Sequence, residues 1–427
     1  MTTLSLKGFL CGAVLVFSHG CLLGAASLEA SLSPDSVALT LESIPQEMIE
    51  RNPDLQTARW TIESARNRLM QSGRLSNPSI QTTFQDNIQT SERSVGFGIQ
   101  QSFPVTARLR LEKNVARHQI QEAQAEVATV ARRRIESALE FGVLLLGIQH
   151  RQDVLKDQIR LAEELAMFLK IQSERAEVSP LDAMHAALLV DELKLELRPL
   201  QTRTKLIKSE LRTLLGLEPD VVLQMEGALS TAKLPVAGEM QFEKRPEIQW
   251  IHRQIDTMQE TLKLERANRV EDFRLGLVHQ WNREEDAPIG IEAERQYGLQ
   301  LSVPLPFWNR NEGRIGEVMS ELSRLESSLK AQKIAILNQV DAAYTAMIEQ
   351  LAVYQQINKQ LLPRRNVYLK DLEASYRQGL TPFESLLKAR ERLLELRLAE
   401  VDALESFHAN RVKYLSATGE YTDPHEY

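Results

Sequence analysis

The chain is written twice, and that duplication limits its fold more than any single motif does. Arg245-Pro246-Glu247-Ile248 restates Asn52-Pro53-Asp54-Leu55, a helix start with proline in the first turn. Gln300-Leu-Ser-Val-Pro304 mirrors Gln100-Gln-Ser-Phe-Pro104. Arg377-Gln-Gly-Leu-Thr-Pro-Phe-Glu384 matches Arg175-Ala-Glu-Val-Ser-Pro-Leu-Asp182 position by position. Each half therefore reads helix, β-hairpin, very long helix, turn, helix, and the fold must accommodate two such units side by side.

The strands come in pairs. Ser79 to Asp86 and Ser94 to Phe103 form the first, the latter alternating Val95, Phe97, Ile99 and Phe103. Residues 273–281 and 296–303 form the second, with Tyr297, Leu299, Leu301 and Val303 alternating against polar neighbours and a longer acidic loop, Glu284-Glu285-Asp286, between the strands. Each pair ends at proline: Pro104 in the first half, Pro304 and Pro306 in the second, the latter followed by Phe307-Trp308. Proline cannot donate to a strand ladder, so these elbows release the chain from the sheet.

The helices are long. No proline occurs from Val105 to Ser179, a run that would measure on the order of 100 Å as one helix. A second helix is expected over 181–215, with Leu193, Leu200, Ile207 and Leu214 seven apart and a local kink at Pro199. The other half is expected to repeat this over 313–377, interrupted at Pro363, and 382–416. Val37 to Gln71 reads as mostly helical, divided by Pro45, and 218–244 reads as a linker rich in Pro and Gly. The two repeats thus span 35–217 and 245–419, followed by a tail, 420–427.

At the N-terminus, Lys7, an apolar run from Gly8 to Phe17 and small residues ending Gly24-Ala25-Ala26 resemble a secretory signal peptide over residues 1–26. An alternative reading is a lipoprotein box, Ser18-His19-Gly20-Cys21, with Cys21 acylated, although Ser18 stands where Leu is usual. Cleavage after Ala26 would remove both cysteines, Cys11 and Cys21, leaving no disulfide or thiolate site. No later segment approaches the ~20 apolar residues of a membrane helix, so any membrane contact must be made by strands.

The formal charge of −7 without a basic block argues against nucleic acid as a partner. No nucleophile elbow, phosphate loop or His-Glu-x-x-His occurs, so an enzyme is not expected. The histidines downstream of residue 26, namely His118, His150, His185, His252, His279, His408 and His425, lack metal-ligand spacing, and no cofactor is expected. His408 continues the Leu387, Leu394, Val401 stride and is expected to pack in a coiled coil.

Four strands of about ten residues suit a tilted bilayer crossing but cannot close a barrel alone, and open edges are not tolerated in lipid. Helical hairpins on the order of 100 Å long likewise have no globular core and must bury their apolar stripes laterally. Both problems are solved by an oligomeric conduit.

With this layout, Leu301-Ser-Val-Pro-Leu-Pro-Phe-Trp-Asn-Arg-Asn-Glu-Gly-Arg-Ile315, Leu361-Leu-Pro363 and Tyr376-Arg-Gln-Gly379 resemble the TolC family of outer-membrane factors, closest to its heavy-metal cation branch. The resemblance implies a mainly α protein with membrane β: a homotrimer with a twelve-stranded outer-membrane β-barrel on a twelve-helix periplasmic α-barrel. It implies three further partners: outer-membrane lipid, a periplasmic adaptor and an inner-membrane RND-type pump. The function it implies is a passive exit duct for heavy-metal cations; a duct for drugs or for type I protein secretion, and a periplasmic coiled-coil scaffold, are the alternatives. Arg175, Asp182, Arg377, Glu384 and Lys388 are then expected at the periplasmic tips, as adaptor contacts or gate. Helix capping by Ser179 or Thr381 is the competing account of the same turns. Some family members close the aperture with paired aspartates where this chain has Ser385 and Lys388, so an aspartate gate is not expected. Pro104, Pro304, Pro306, Phe307 and Trp308 are expected at the membrane boundary.

Overall fold

The computed structural model describes residues 36–230, 234–235, 242–286 and 290–420; the signal segment, Cys21, His425 and residues 421–427 lie outside them. In chain order the elements are β1 (Ser36–Leu39), α1 (Ile44–Arg51), α2 (Pro53–Gln71), β2 (Ser79–Asp86), β3 (Arg93–Phe103), α3 (Arg108–Glu174) and α4 (Pro180–Leu215). Then follow β4 (Val222–Met225), a single 3-10 turn (Phe242–Lys244), α5 (Pro246–Ala267), β5 (Phe273–Asp286), β6 (Gly290–Ser302), α6 (Glu312–Gln356), α7 (Leu362–Arg377) and α8 (Phe383–Thr418).

α3 is one unbroken helix of 67 residues, about 100 Å long. It starts at Arg108 rather than 105, because the chain must first turn off the sheet after Pro104, and it ends at Glu174 where Ala176 takes a left-handed φ of 58°. α4 keeps its helical assignment through Pro199. In the second half the long helix is not continuous: Ile357–Leu361 forms a π turn between α6 and α7. Pro363 has no N–H and its ring crowds the preceding turn, and the wider turn accommodates both defects.

Three expectations are corrected at the waist. Val37–Leu39 is strand, not helix, and the 218–244 segment contains a strand, because β1 and β4 pair in parallel from Ser36↔Val222 to Leu39↔Met225. Pro45 does not divide a helix; it sits in the first turn of α1. Leu39, Leu223 and Met225 are buried against α3 over Ile135–Ile148, together with Ile44, Met48, Leu211, Leu215 and Leu404. This is the main core. Here α3 is enclosed nearly all round, which is why Phe141 to Ile148 is so apolar.

The other sheet has four strands in the order β2-β3-β5-β6, all antiparallel. β5 extends to Asp286 and β6 begins at Gly290, so the acidic stretch Glu284-Glu285-Asp286 is ladder, not loop. β2 and β6 are left as open edges.

Candidate functional site

The register of the four-stranded sheet sorts its side chains onto two faces, since residues directly opposite each other in antiparallel strands share a face. One face carries Ile80, Phe84, Val95, Phe97, Ile99, Phe273, Leu275, Leu277, Trp281, Tyr297, Leu299 and Leu301, interrupted by Thr82, Gln101 and His279. The other carries Gln81, Thr83, Gln85, Ser94, Gln100, Gln280, Asn282, Gln296 and Gln300, together with Gly96, Gly98, Gly276 and Gly298. Apolar residues on the first face stand in solvent within the single chain: Ile80 is 76% exposed and Leu299 77%. Phe273 to Trp281 spans about 27 Å of strand, or about 20 Å of depth at a barrel-like tilt. Aromatic residues mark both ends of this band: Phe103 stacks on Phe273 at 5.6 Å near the helices, and Phe84 and Trp281 lie at the far end. Small residues on the polar face suit the concave side of a curving sheet.

The joint between sheet and helices is held by ions and one left-handed residue. Arg108 on α3 grips Asp272, just before β5, at 2.6 Å and Glu112 at 2.6 Å, while Glu112 accepts the Gly73 N–H at 3.2 Å. One guanidinium thus joins the end of α2, the start of α3 and the entry to β5. In the elbow after β6, Asn311 has φ 56° and its side-chain amide donates to the Glu265 carbonyl and carboxylate at 2.9 and 2.6 Å. Pro104 follows the end of β3, and Pro304 and Pro306 follow the end of β6. Phe307 and Trp308 contact each other edge-on at 6.1 Å, yet they are 66% and 94% exposed, so they do not pack the elbow.

At the opposite end the two helical hairpins meet. Leu169, Ala186, Phe383 and Leu386 form one buried cluster with Val178, Tyr376 and Leu387 against it, so both tips share a core. Ser179 caps α4 by accepting the Leu181 N–H at 3.2 Å, and Asp182 lies in the first turn. Thr381 does not cap: α8 starts after Pro382 without a side-chain cap, and the Thr381 hydroxyl is buried without a partner. Glu384 pairs with Lys388 at 2.6 Å on the exposed face of α8, whereas Arg175, Asp182 and Arg377 make no ion pair among the described residues. Asp182 instead faces the second hairpin, where burial first and its charge second push the Tyr376 hydroxyl above the ordinary tyrosine range.

Between these ends lies a buried ionic knot that the sequence did not single out. Arg132, the first of the three consecutive arginines 132–134, is 7% exposed. It bonds Glu247 and Ser416 and pairs with Glu136 at 2.7 Å, while the buried Arg245 approaches the other Glu247 oxygen at 3.5 Å. Only Arg132 of the run points inward, a helical phase that needs the neighbours' positions to assign. His408 is also buried, on α8, with Nε2 2.6 Å from the Ser230 carbonyl. A carbonyl only accepts, so Nε2 carries the proton. Among the described residues no group of three or more His, Cys, Asp or Glu is placed to hold a metal ion, and no helix is long and apolar enough to cross a membrane.

The described geometry is a sheet with one apolar and one polar face, joined to long helical hairpins whose tips share a core. Residues 44–217 and 239–420 each match the outer membrane efflux protein family, and the chain belongs to that family. It is an outer-membrane efflux channel, and the family is one of transport channels. The cobalt-zinc-cadmium resistance protein CzcC of Cupriavidus metallidurans is 20% identical over 372 residues, 86% of each chain. Among solved structures, CusC superposes with a TM-score of 0.71 at 14% identity, covering 88% of this chain and 91% of that one. The outer membrane channel CmeC of Campylobacter jejuni gives 0.72 at 12% identity, covering 90% and 86%.

Proposed function

We propose that three copies close the β2–β6 sheets into a twelve-stranded barrel, continuous with a twelve-helix barrel in the periplasm, to form the exit duct of a tripartite RND-type efflux system. The observation that carries this reading is the sheet: an apolar outer face, a glutamine- and glycine-rich inner face, and two unpaired edges. In lipid those edges must be paired, and closure with neighbouring copies leaves none. A stripe on α4 supports the same assembly, since Leu181, Met184, Leu188 and Leu195 follow coiled-coil spacing and are all exposed in one chain. Heavy-metal cations are the proposed substrate, on the relation to CzcC. The channel does no chemistry; it supplies a hydrated path whose selectivity is set by the pump and adaptor.

The test is a pair of single cysteines in adjacent strand positions, placed in a background without Cys11 and Cys21. In the native membrane, Gln300→Cys, on the inner face, is expected to react with a membrane-impermeant thiol reagent. Leu299→Cys, on the outer face, is expected to stay protected until detergent is added. Equal labelling of both would defeat the barrel reading, and a wholly soluble monomer would favour a periplasmic scaffold.

A further inference from the structure

The rim of the sheet, at the end far from the helices, separates charge by face. Arg93, Arg283 and Arg295 occupy the apolar face at and just above its aromatic border, Arg283 opposite Arg93 across the β3/β5 ladder and Arg295 opposite Trp281 across β5/β6. The polar face at the same height carries Glu284 opposite Glu292, and Glu294 opposite Asn282. Arg93 is paired to Asp86 at 3.0 Å, and Glu285, two residues further up the arginine face, accepts the Ser91 N–H at 3.0 Å. The side chains of Arg283 and Arg295 make no ion pair, hydrogen bond or ring contact among the described residues, although acidic side chains stand on the neighbouring strand positions. Strand alternation explains why: Glu284 and Glu294 point through the sheet to the other side. The two guanidinium groups therefore stand on the opposite face from Glu284 and Glu294, while Asp86 and Glu285 on their own face are engaged by Arg93 and by the Ser91 N–H.

Resting on the barrel reading, we propose that Arg283 and Arg295 bind the phosphate groups of the phosphorylated glycolipid in the outer leaflet, with its acyl chains against the apolar band below. The helices fix the direction: the strand ends joined to α2, α3 and α6 face the periplasm, which places the arginine row in the outer leaflet and not in the inner one. Phosphate suits the site because a guanidinium offers a planar fork of donors to its oxygens. Beneath the row, Ile80, Phe97, Ile99, Leu277 and Tyr297, with the His279 ring among them, surround a depression above Gly98 and Gly298, a seat for acyl chains. Each basic group near a charged lipid surface strengthens binding about fivefold, so losing both should weaken it roughly tenfold or more.

The experiment uses the full-length protein in detergent, titrated with purified bisphosphorylated lipid A and read by tryptophan fluorescence. Arg283→Gln with Arg295→Gln is compared with Arg274→Gln, an equal-sign change on the inner face near the helices, after each is shown to retain the wild-type oligomer. The double variant is expected to lose affinity about tenfold, the Arg274 variant to bind as wild type, and dephosphorylated lipid A to bind the wild type as weakly as the double variant binds the intact lipid. Unchanged affinity in the double variant overturns the proposal, as does equal loss in the Arg274 variant or indifference to phosphate. Failure here with the thiol labelling intact would leave the barrel standing; failure of the labelling would remove the surface itself.

Discussion

At the scale of single residues, the molecule spends its polar groups on joints. Arg108, Arg132 and Arg151 each tie α3 to a distant segment: Asp272 before β5, Glu247 on α5, and Asp402 with Glu405 on α8. At the last of these, Gly147 leaves room for the Glu405 side chain, which a Cβ there would push aside. His408 adds a pH dependence whose sign can be worked out. Burial, the largest influence, holds its imidazole below the ordinary histidine range despite the Ser230 bond. The folded state therefore favours the neutral ring. Its contribution is present above the unfolded value of about 6.5 and is lost as pH falls through the folded one. Acidification from pH 7 to pH 5 is expected to lower the thermal midpoint of the wild type more than that of His408→Gln. Equal slopes in a melting series would refute this.

At the scale of elements, the elbow after β6 is the most specific construction. Proline ends the ladder, and Asn311 then turns the chain left-handed into α6 while bonding the end of α5. Asn311→Gly keeps the backbone conformation and loses the bonds; Asn311→Ala loses both. The alanine variant is expected to be destabilised by about 2 kcal/mol and the glycine variant by about 1 kcal/mol less, measured by urea midpoints. Strands and long helices were legible because their periods run uninterrupted for many residues. β1 and β4 were not: four residues carry too little alternation, and their partner lies about 190 positions away, so only the α3 surface they cover reveals them. The π turn at Ile357–Leu361 was visible only as Pro363, because the compensation is made by residues with no unusual chemistry.

At the scale of the whole molecule, the two tips share a core while Arg175, Asp182 and Arg377 remain unpaired, and Glu384 and Lys388 satisfy only each other. That leaves charge available for an adaptor or a neighbouring copy, the role proposed for these residues. Reversal at Asp182→Lys with Glu384→Lys is expected to reduce cellular tolerance to the exported heavy-metal cation to that of cells lacking the protein, with oligomer abundance unchanged. Undiminished tolerance would sink the tip contact, and loss of drug tolerance instead would reassign the substrate. The duplication, the strand pairs, the long helices and hence the family are legible in the sequence, since each is a local period repeated over long stretches. Which of the three consecutive arginines turns inward, which threonine fails to cap and which rim charges share the apolar face became visible only in the folded chain. Those outcomes depend on helix phase and strand register against neighbours far away in the chain, and no local pattern carries that information.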